Sequence, residues 1–126
     1  MHALFVDDEV EFLQLMEKRL SRRGMTIVTA PDGQSALDIV TEAMKQPETM
    51  FQVVVMDVRM PGMDGLEPLR HMKKIAPKLP VLLLTGHASL GVAVQGMDLG
   101  AYDYMLKPVA INELIIKMEE AVRAAA

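Results

Sequence analysis

The sequence predicts an α/β domain in which a doubly wound, five-stranded parallel sheet carries a helix after each strand. Three observations predict it. Five short apolar runs recur along the 126 residues, and each is followed by apolar residues at helical spacing. The third and fourth runs, residues 53–56 and 81–84, are apolar throughout rather than alternating, the pattern of strands buried on both faces. Clusters of Gly, Pro and Asp punctuate the chain between runs and periodic stretches. Strands that alternate with helices in this way must be parallel and joined by right-handed crossovers.

The elements follow in order. Residues 3–6 form a short strand that runs into Asp7, Asp8 and Glu9. Phe12, Leu13, Met16 and Leu20 then fall at helical spacing, with Lys18, Arg19, Arg22 and Arg23 in the last turns and Gly24 as the stop. Residues 25–29 form a second strand, broken by Ala30, Pro31, Asp32 and Gly33. A helix to about Lys45 follows, its inner face built from Ala36, Leu37, Val40 and Met44. Residues 46–50 make a polar loop, and the third strand leads through a turn to a helix that uses Leu66, Leu69 and Met72 and ends near Ile75. After the connector of residues 76–80, the fourth strand ends at Thr85, Gly86 and His87. The helix over residues 89–99 contains Gly91 and Gly96, each costing about 1 kcal/mol relative to Ala in a helix interior. It is the least secure helix, expected to exchange backbone hydrogens faster than the last one. Gly100 ends it, residues 102–106 form the fifth strand, and Lys107 and Pro108 follow. Ile111, Leu114, Ile115, Met118 and Val122 mark an amphipathic last helix, leaving Ala124, Ala125 and Ala126 as a tail.

Composition sets the outer limits. The length suits one domain, residues 1–126, which would bury roughly two thirds of its unfolded surface. With 51% apolar residues the core is sufficient, and without cysteine there are no disulfides, thiolate metal sites or cysteine catalysis. A net charge of -4 and no run of Lys or Arg argue against a nucleic-acid groove. No apolar stretch approaches the ~20 residues of a membrane span, and the N-terminus lacks the look of a signal peptide. The expectation is a soluble, cytoplasmic, acidic domain. Twelve Met beside three Phe and two Tyr suggest an adaptable core.

The stretch from residue 53 to 65 organises the chain. Val53, Val54, Val55 and Met56 make a strand too short to be a helix, and it ends on a carboxylate, Asp57. Met60, Pro61, Gly62 and Met63 then place Pro and Gly where a type II turn prefers them, and Asp64 or Gly65 can open the next helix. In a doubly wound sheet, ligands bind beyond the carboxyl ends of the strands. Asp7 and Asp8 follow the first strand, Asp57 ends the third, Thr85 the fourth and Lys107 the fifth. The second strand ends without a charged group, as an edge strand remote from the site would.

Three carboxylates gathered in one crevice repel; two unit charges about 4 Å apart cost roughly 4 kcal/mol at an effective dielectric of 20. Either some of them take up protons, or a cation sits among them. Oxygen-only donors at an open crevice suit a hard ion such as Mg²⁺. With its charge neutralised, Asp57 could attack phosphorus and form an acyl phosphate. Lys107 would pair with phosphoryl oxygens, and the Thr85 hydroxyl would donate a hydrogen bond.

Asp7-Asp8, Asp57 with Met60-Pro61-Gly62-Met63-Asp64-Gly65, Thr85-Gly86 and Lys107-Pro108, in this order, resemble the response-regulator receiver domains (CheY-like) of two-component signalling. The likeness extends over essentially the whole chain. It implies a (βα)5 flavodoxin-like sheet of strand order 2-1-3-4-5. It implies phosphotransfer onto Asp57 from a sensor histidine kinase or phosphotransfer protein, with Mg²⁺ required. Asp8 and Asp57 would bind the metal directly, Asp7 largely through water, and the backbone carbonyl of Arg59 would supply another ligand. The peptide between Lys107 and Pro108 would be cis, a geometry that proline makes accessible.

The resemblance also implies a switch. Thr85 would swing toward the phosphoryl group and Tyr104 would move inward behind it. The fourth helix, fifth strand and fifth helix would then present an altered surface to an output partner or domain, or to a second copy of the chain. Three departures stand out. Arg59 and His87, with Met60, occupy the site rim, where the first two could hold the phosphoryl group or obstruct the attacking water. Ala110 stands where the family often has a helix cap.

Taken singly, each residue has an ordinary explanation: a helix cap for Asp7-Asp8-Glu9, a turn for Asp57, a loop for Thr85, the surface for Lys107. They fail jointly because all would have to meet by chance at one sheet edge. A haloacid-dehalogenase-like phosphatase needs a second acid two residues after the nucleophile, where Arg59 stands. A flavodoxin-type nucleotide binder needs a Gly/Ser/Thr-rich first loop, which here is acidic. A degenerate receiver would lack some of the five site residues. The chain is expected to be either a free-standing regulator or a receiver taken from a larger protein such as a transcription factor or hybrid kinase. Catalysis would be confined to its own phosphorylation and dephosphorylation.

Overall fold

The computed structural model describes residues 1–58 and 66–126. Within them, β1 (His2–Val6), β2 (Thr26–Ala30), β3 (Val53–Asp57), β4 (Val81–Thr85) and β5 (Asp103–Leu106) form one sheet in the order β2-β1-β3-β4-β5. Every neighbouring pair is parallel. The helices are α1 (Val10–Ser21), α2 (Gly33–Ala43), α3 (Glu67–Ile75), α4 (Leu90–Asp98) and α5 (Ile111–Ala125). This is the flavodoxin-like, doubly wound arrangement that the alternation of runs predicts.

The sheet is covered on both faces because its side chains alternate. Leu4, Val6, Val54, Met56 and Leu83 pack with α2, α3 and α4, whereas Ala3, Phe5, Val53, Val55 and Leu84 pack with α1 and α5. The central strand β3 is buried along its whole length. Burying each of its three valines contributes about 1.5–3 kcal/mol, so the strand that ends in Asp57 is anchored from both sides.

Several boundaries differ from those expected, each for a local reason. Gly24 adopts φ +84°, and the Met25 amide turns back to the Leu20 carbonyl at 3.2 Å. That closes α1 and keeps Met25 out of the ladder, so β2 starts at Thr26. Gly100, at φ +105°, closes α4 in the same way through the Ala101 amide and the Gly96 carbonyl, 3.0 Å, and β5 begins at Asp103. Asp32 caps α2 by accepting the Ser35 amide at 2.7 Å. That helix stops at Ala43, so Met44 lies past its end and is 43% exposed rather than on the inner face. The polar loop contains a 3₁₀ turn, Pro47–Thr49, and another, His87–Ser89, leads into α4. Ala124 and Ala125 complete α5 instead of forming a tail, as the high helix propensity of alanine favours. Ala110 precedes α5 without a side-chain cap. The expected turn at residues 60–63 and the helix opening at Asp64 or Gly65 lie outside the described residues.

The two glycines of α4 have different physical meanings. A Cβ on Gly91 would meet nothing within 4 Å. A Cβ on Gly96 would collide with Leu83 Cδ1 on β4 and touch Leu66 and Leu69; Leu83 is fully buried, so its side chain could yield only by shifting within the close-packed core. Gly96 therefore lets α4 approach the sheet, and only Gly91 is a pure loss of helix propensity. Urea unfolding should show Gly91→Ala stabilising the domain by up to about 1 kcal/mol. Gly96→Ala should destabilise it by about 1–3 kcal/mol. Equal gains from both would contradict this assignment.

Candidate functional site

The site forms because parallel register brings the strand ends into line. Val6 pairs with Met56 and Asp57 with Leu84, so Asp7 leaves β1 beside Asp57 at the end of β3. Thr85 pairs with Leu106, and Lys107 follows one residue later. Backbone hydrogen bonds continue the ladders past the strands: Asp7 donates to Ala30 at 3.1 Å, Val58 to Leu84 at 3.1 Å, and Lys107 to Thr85 at 2.8 Å. The Lys107–Pro108 peptide is cis.

Asp7 is buried, Asp57 is 7% exposed and Asp8 is exposed. One carboxylate oxygen from each lies within 4.8 Å of the other two. Asp7 divides its oxygens between two tasks. Oδ1 accepts the Glu9 amide at 2.9 Å, turning the chain into α1, while Oδ2 faces the Lys107 ammonium at 2.6 Å. The helix-entry explanation for this acidic run is thus partly correct, but it uses only one oxygen of one residue.

Lys107 is the counter-charge. Its Nζ lies 2.6 Å from Asp7, 3.3 Å from Glu9 and 3.4 Å from Asp57, with the side chain 20% exposed. Burial, the largest single influence, pushes the ammonium down. The hydrogen bond that Lys107 donates to Asp7, the charges of Asp57 and Asp7 and the bond it donates to Glu9 together outweigh it and hold Lys107 above the usual lysine range. A raised folded-state value contributes stability that is complete below the unfolded lysine pKa and is lost as pH rises through the folded one. The cation therefore persists throughout the neutral range.

Asp7, Asp8, Asp57 and Lys107 are brought together as the sequence predicts. Thr85 is fully buried at the neighbouring strand end, where its hydroxyl donates to the Gly86 carbonyl at 2.9 Å. Tyr104 is half-buried on β5, packed against the α2–α4 side of the core. His87 is exposed in the 3₁₀ turn before α4. Arg59 and Met60 lie outside the described residues. Two contacts were not anticipated: Glu9, and Phe12, whose ring centroid is 4.6 Å from Lys107 Nζ. Their signal was the continued acidic run and the i,i+3 spacing that puts both on one face of the entry to α1.

Three oxygen donors and one ammonium thus lie together at the carboxyl edge of a doubly wound sheet, the edge where ligands bind in folds of this class. A profile for the response regulator receiver domain matches residues 3–119. The chain belongs to that family, a signalling domain of two-component response regulators. It is 37% identical over 120 residues to the DNA-binding transcriptional regulator NtrC of Klebsiella pneumoniae, covering 95% of this chain and 24% of that protein. It is 38% identical over 123 residues to the response regulator MprA of Mycolicibacterium vanbaalenii, covering 98% and 51%. The chain thus spans from about a quarter to about half the length of these curated relatives. Among solved structures it resembles a response regulator receiver domain protein from Clostridium thermocellum, with TM-score 0.88, 35% identity and coverage of 98% and 94%. It also resembles NtrX from Brucella abortus, with TM-score 0.87, 34% identity and coverage of 98% and 27%. Among the described residues no helix is long and apolar enough to cross a membrane.

Lys107 is already shared by Asp7, Glu9 and Asp57, so Asp8 adds a further negative charge with no ion pair of its own among the described residues. Its exposure screens that repulsion well below the buried limit. Asp8→Asn should therefore raise unfolding free energy by about 1 kcal/mol in low salt without divalent ions. A loss of stability in urea melts would contradict the repulsion.

Proposed function

We propose that Asp57 accepts a phosphoryl group from a phosphohistidine on a sensor histidine kinase or phosphotransfer protein. The observation that supports this best is the placement of Asp57. It is a nearly buried carboxylate at the end of the central strand, beside two further carboxylates and 3.4 Å from an ammonium. An Asp57 oxygen attacks phosphorus and forms a P–O bond. The P–N bond to the donor imidazole breaks, and the nitrogen keeps the electron pair. Lys107 moves its N–H donors from Asp57 to the phosphoryl oxygens as negative charge gathers there. The Thr85 hydroxyl, now committed to the Gly86 carbonyl, rotates to donate to the same group.

The donor set fits a hard divalent cation: Asp7, Asp8 and Asp57 offer only oxygen, one partner is open to solvent, and Lys107 offsets just part of their charge. Asp8 and Asp57 would hold Mg²⁺ directly, Asp7 largely through water, with the Arg59 carbonyl as a further ligand. When bound, the ion supplies the neutralisation that lets an anionic carboxylate approach an anionic donor.

The output reading adds that phosphorylation alters the α4-β5-α5 face, with Tyr104 moving inward. Each of these elements carries a large exposed apolar side chain, Val94, Leu106 and Ile116, at 49%, 37% and 55%, which supports a face that meets an output partner, an output domain or a second copy. The domain promotes only its own phosphorylation and dephosphorylation and does not itself bind nucleic acid.

Incubation with acetyl phosphate and Mg²⁺ should add one phosphoryl group to the native chain by intact mass and none to Asp57→Asn. Equal gains in both would place the acceptor elsewhere. Mg²⁺ alone should raise the native melting temperature, and Asp8→Asn should lose most of that rise; an unchanged rise would remove Asp8 from the ion site.

A further inference from the structure

We propose that Phe12 is a positioning residue for this phosphotransfer: the face of its ring holds the Lys107 ammonium in register with Asp57. The inference rests on the reading of Asp57 as the acceptor. Lysine carries its charge on a flexible four-carbon stem, so something must fix the ammonium. The carboxylates that now surround it, Asp7 at 2.6 Å and Asp57 at 3.4 Å, are the groups whose oxygens an ion and a phosphoryl group claim during the reaction. Glu9, at 3.3 Å, has a side chain 65% exposed, and such a screened contact is a weak tether.

The Phe12 ring differs from all three. Its centroid lies 4.6 Å from Nζ, inside the range of a cation–π contact. A ring face attracts the charge without occupying any of the three N–H donors. All three stay free to move from carboxylate to phosphoryl oxygens while the ammonium remains in place. Core packing accounts for only part of the Phe12 ring, which touches the core cluster but is not enclosed by it. Leu13, Met16 and Leu20 are the buried residues of α1, and Phe12 is only half-buried at the edge of their cluster.

The test replaces Phe12 by phenylalanines of increasing ring fluorination, which keep shape while weakening the face, and follows phosphorylation by acetyl phosphate with Mg²⁺. The maximal rate should fall stepwise, reaching about fivefold below native for the trifluoro ring. Phe12→Leu should match the trifluoro chain and Phe12→Tyr should retain the native rate. In a Lys107→Ala background, slower throughout, the fluorination series should be flat. A flat series in the native background, or equal slopes in both, overturns the inference and leaves Asp57 as acceptor. Absence of any phosphoryl gain in the native chain overturns both.

Discussion

One ammonium among gathered carboxylates is the constraint on which the site depends. Asp7, Asp8 and Asp57 lie close enough for their oxygens to share one ion, and Lys107 reaches Asp7 and Asp57 together with Glu9. Such an assembly resists its own formation, and the sheet supplies the opposing force. β3 is buried along its length, and β1 and β4 clamp it on either side. Hydrophobic burial, which is not directional, thereby holds charged groups at separations they would not choose in water. The residual imbalance of charge is what the proposed cation and phosphoryl group would act on.

The same frame divides fixed parts from movable ones. Asp7 is fixed twice, by the Ala30 carbonyl through its amide and by the Glu9 amide through its side chain. Thr85 has a fixed backbone, but its hydroxyl holds only the carbonyl of the next residue, a local bond that rotation about χ1 can exchange for a better acceptor. Beyond it, a 3₁₀ turn leads into α4, a nine-residue helix seated on β4 by the missing side chain of Gly96. A contact made by absence of a side chain permits close approach of α4 to the sheet while adding no side-chain burial of its own.

Much of this was legible in the sequence because the signals were long or jointly placed. Uninterrupted apolar runs marked β3 and β4, and Asp7, Asp57, Thr85 and Lys107 each closed a run, so one topology had to bring them together. What escaped depended on contacts that no local pattern encodes. Gly91 and Gly96 look alike as helix-weakening residues, and only the position of Leu83 separates them. Met44 fits the inner-face periodicity of α2, yet the helix ends one residue before it. The terminal alanines carry no periodicity of their own and simply prolong α5. Phe12 looked like core because its spacing is that of core, and its approach to Lys107 joins residues 95 positions apart in number through the closure of the sheet.

The measurement that reaches the central claim most directly is chemical marking of the phosphorylated residue. Borohydride reduces an aspartyl phosphate to homoserine and leaves a free carboxylate unchanged. After phosphorylation and reduction, peptide fragmentation should find homoserine at position 57 and aspartate at positions 7 and 8. Homoserine at another position, or aspartate retained at 57 in chains that had gained a phosphoryl group, would contradict the account.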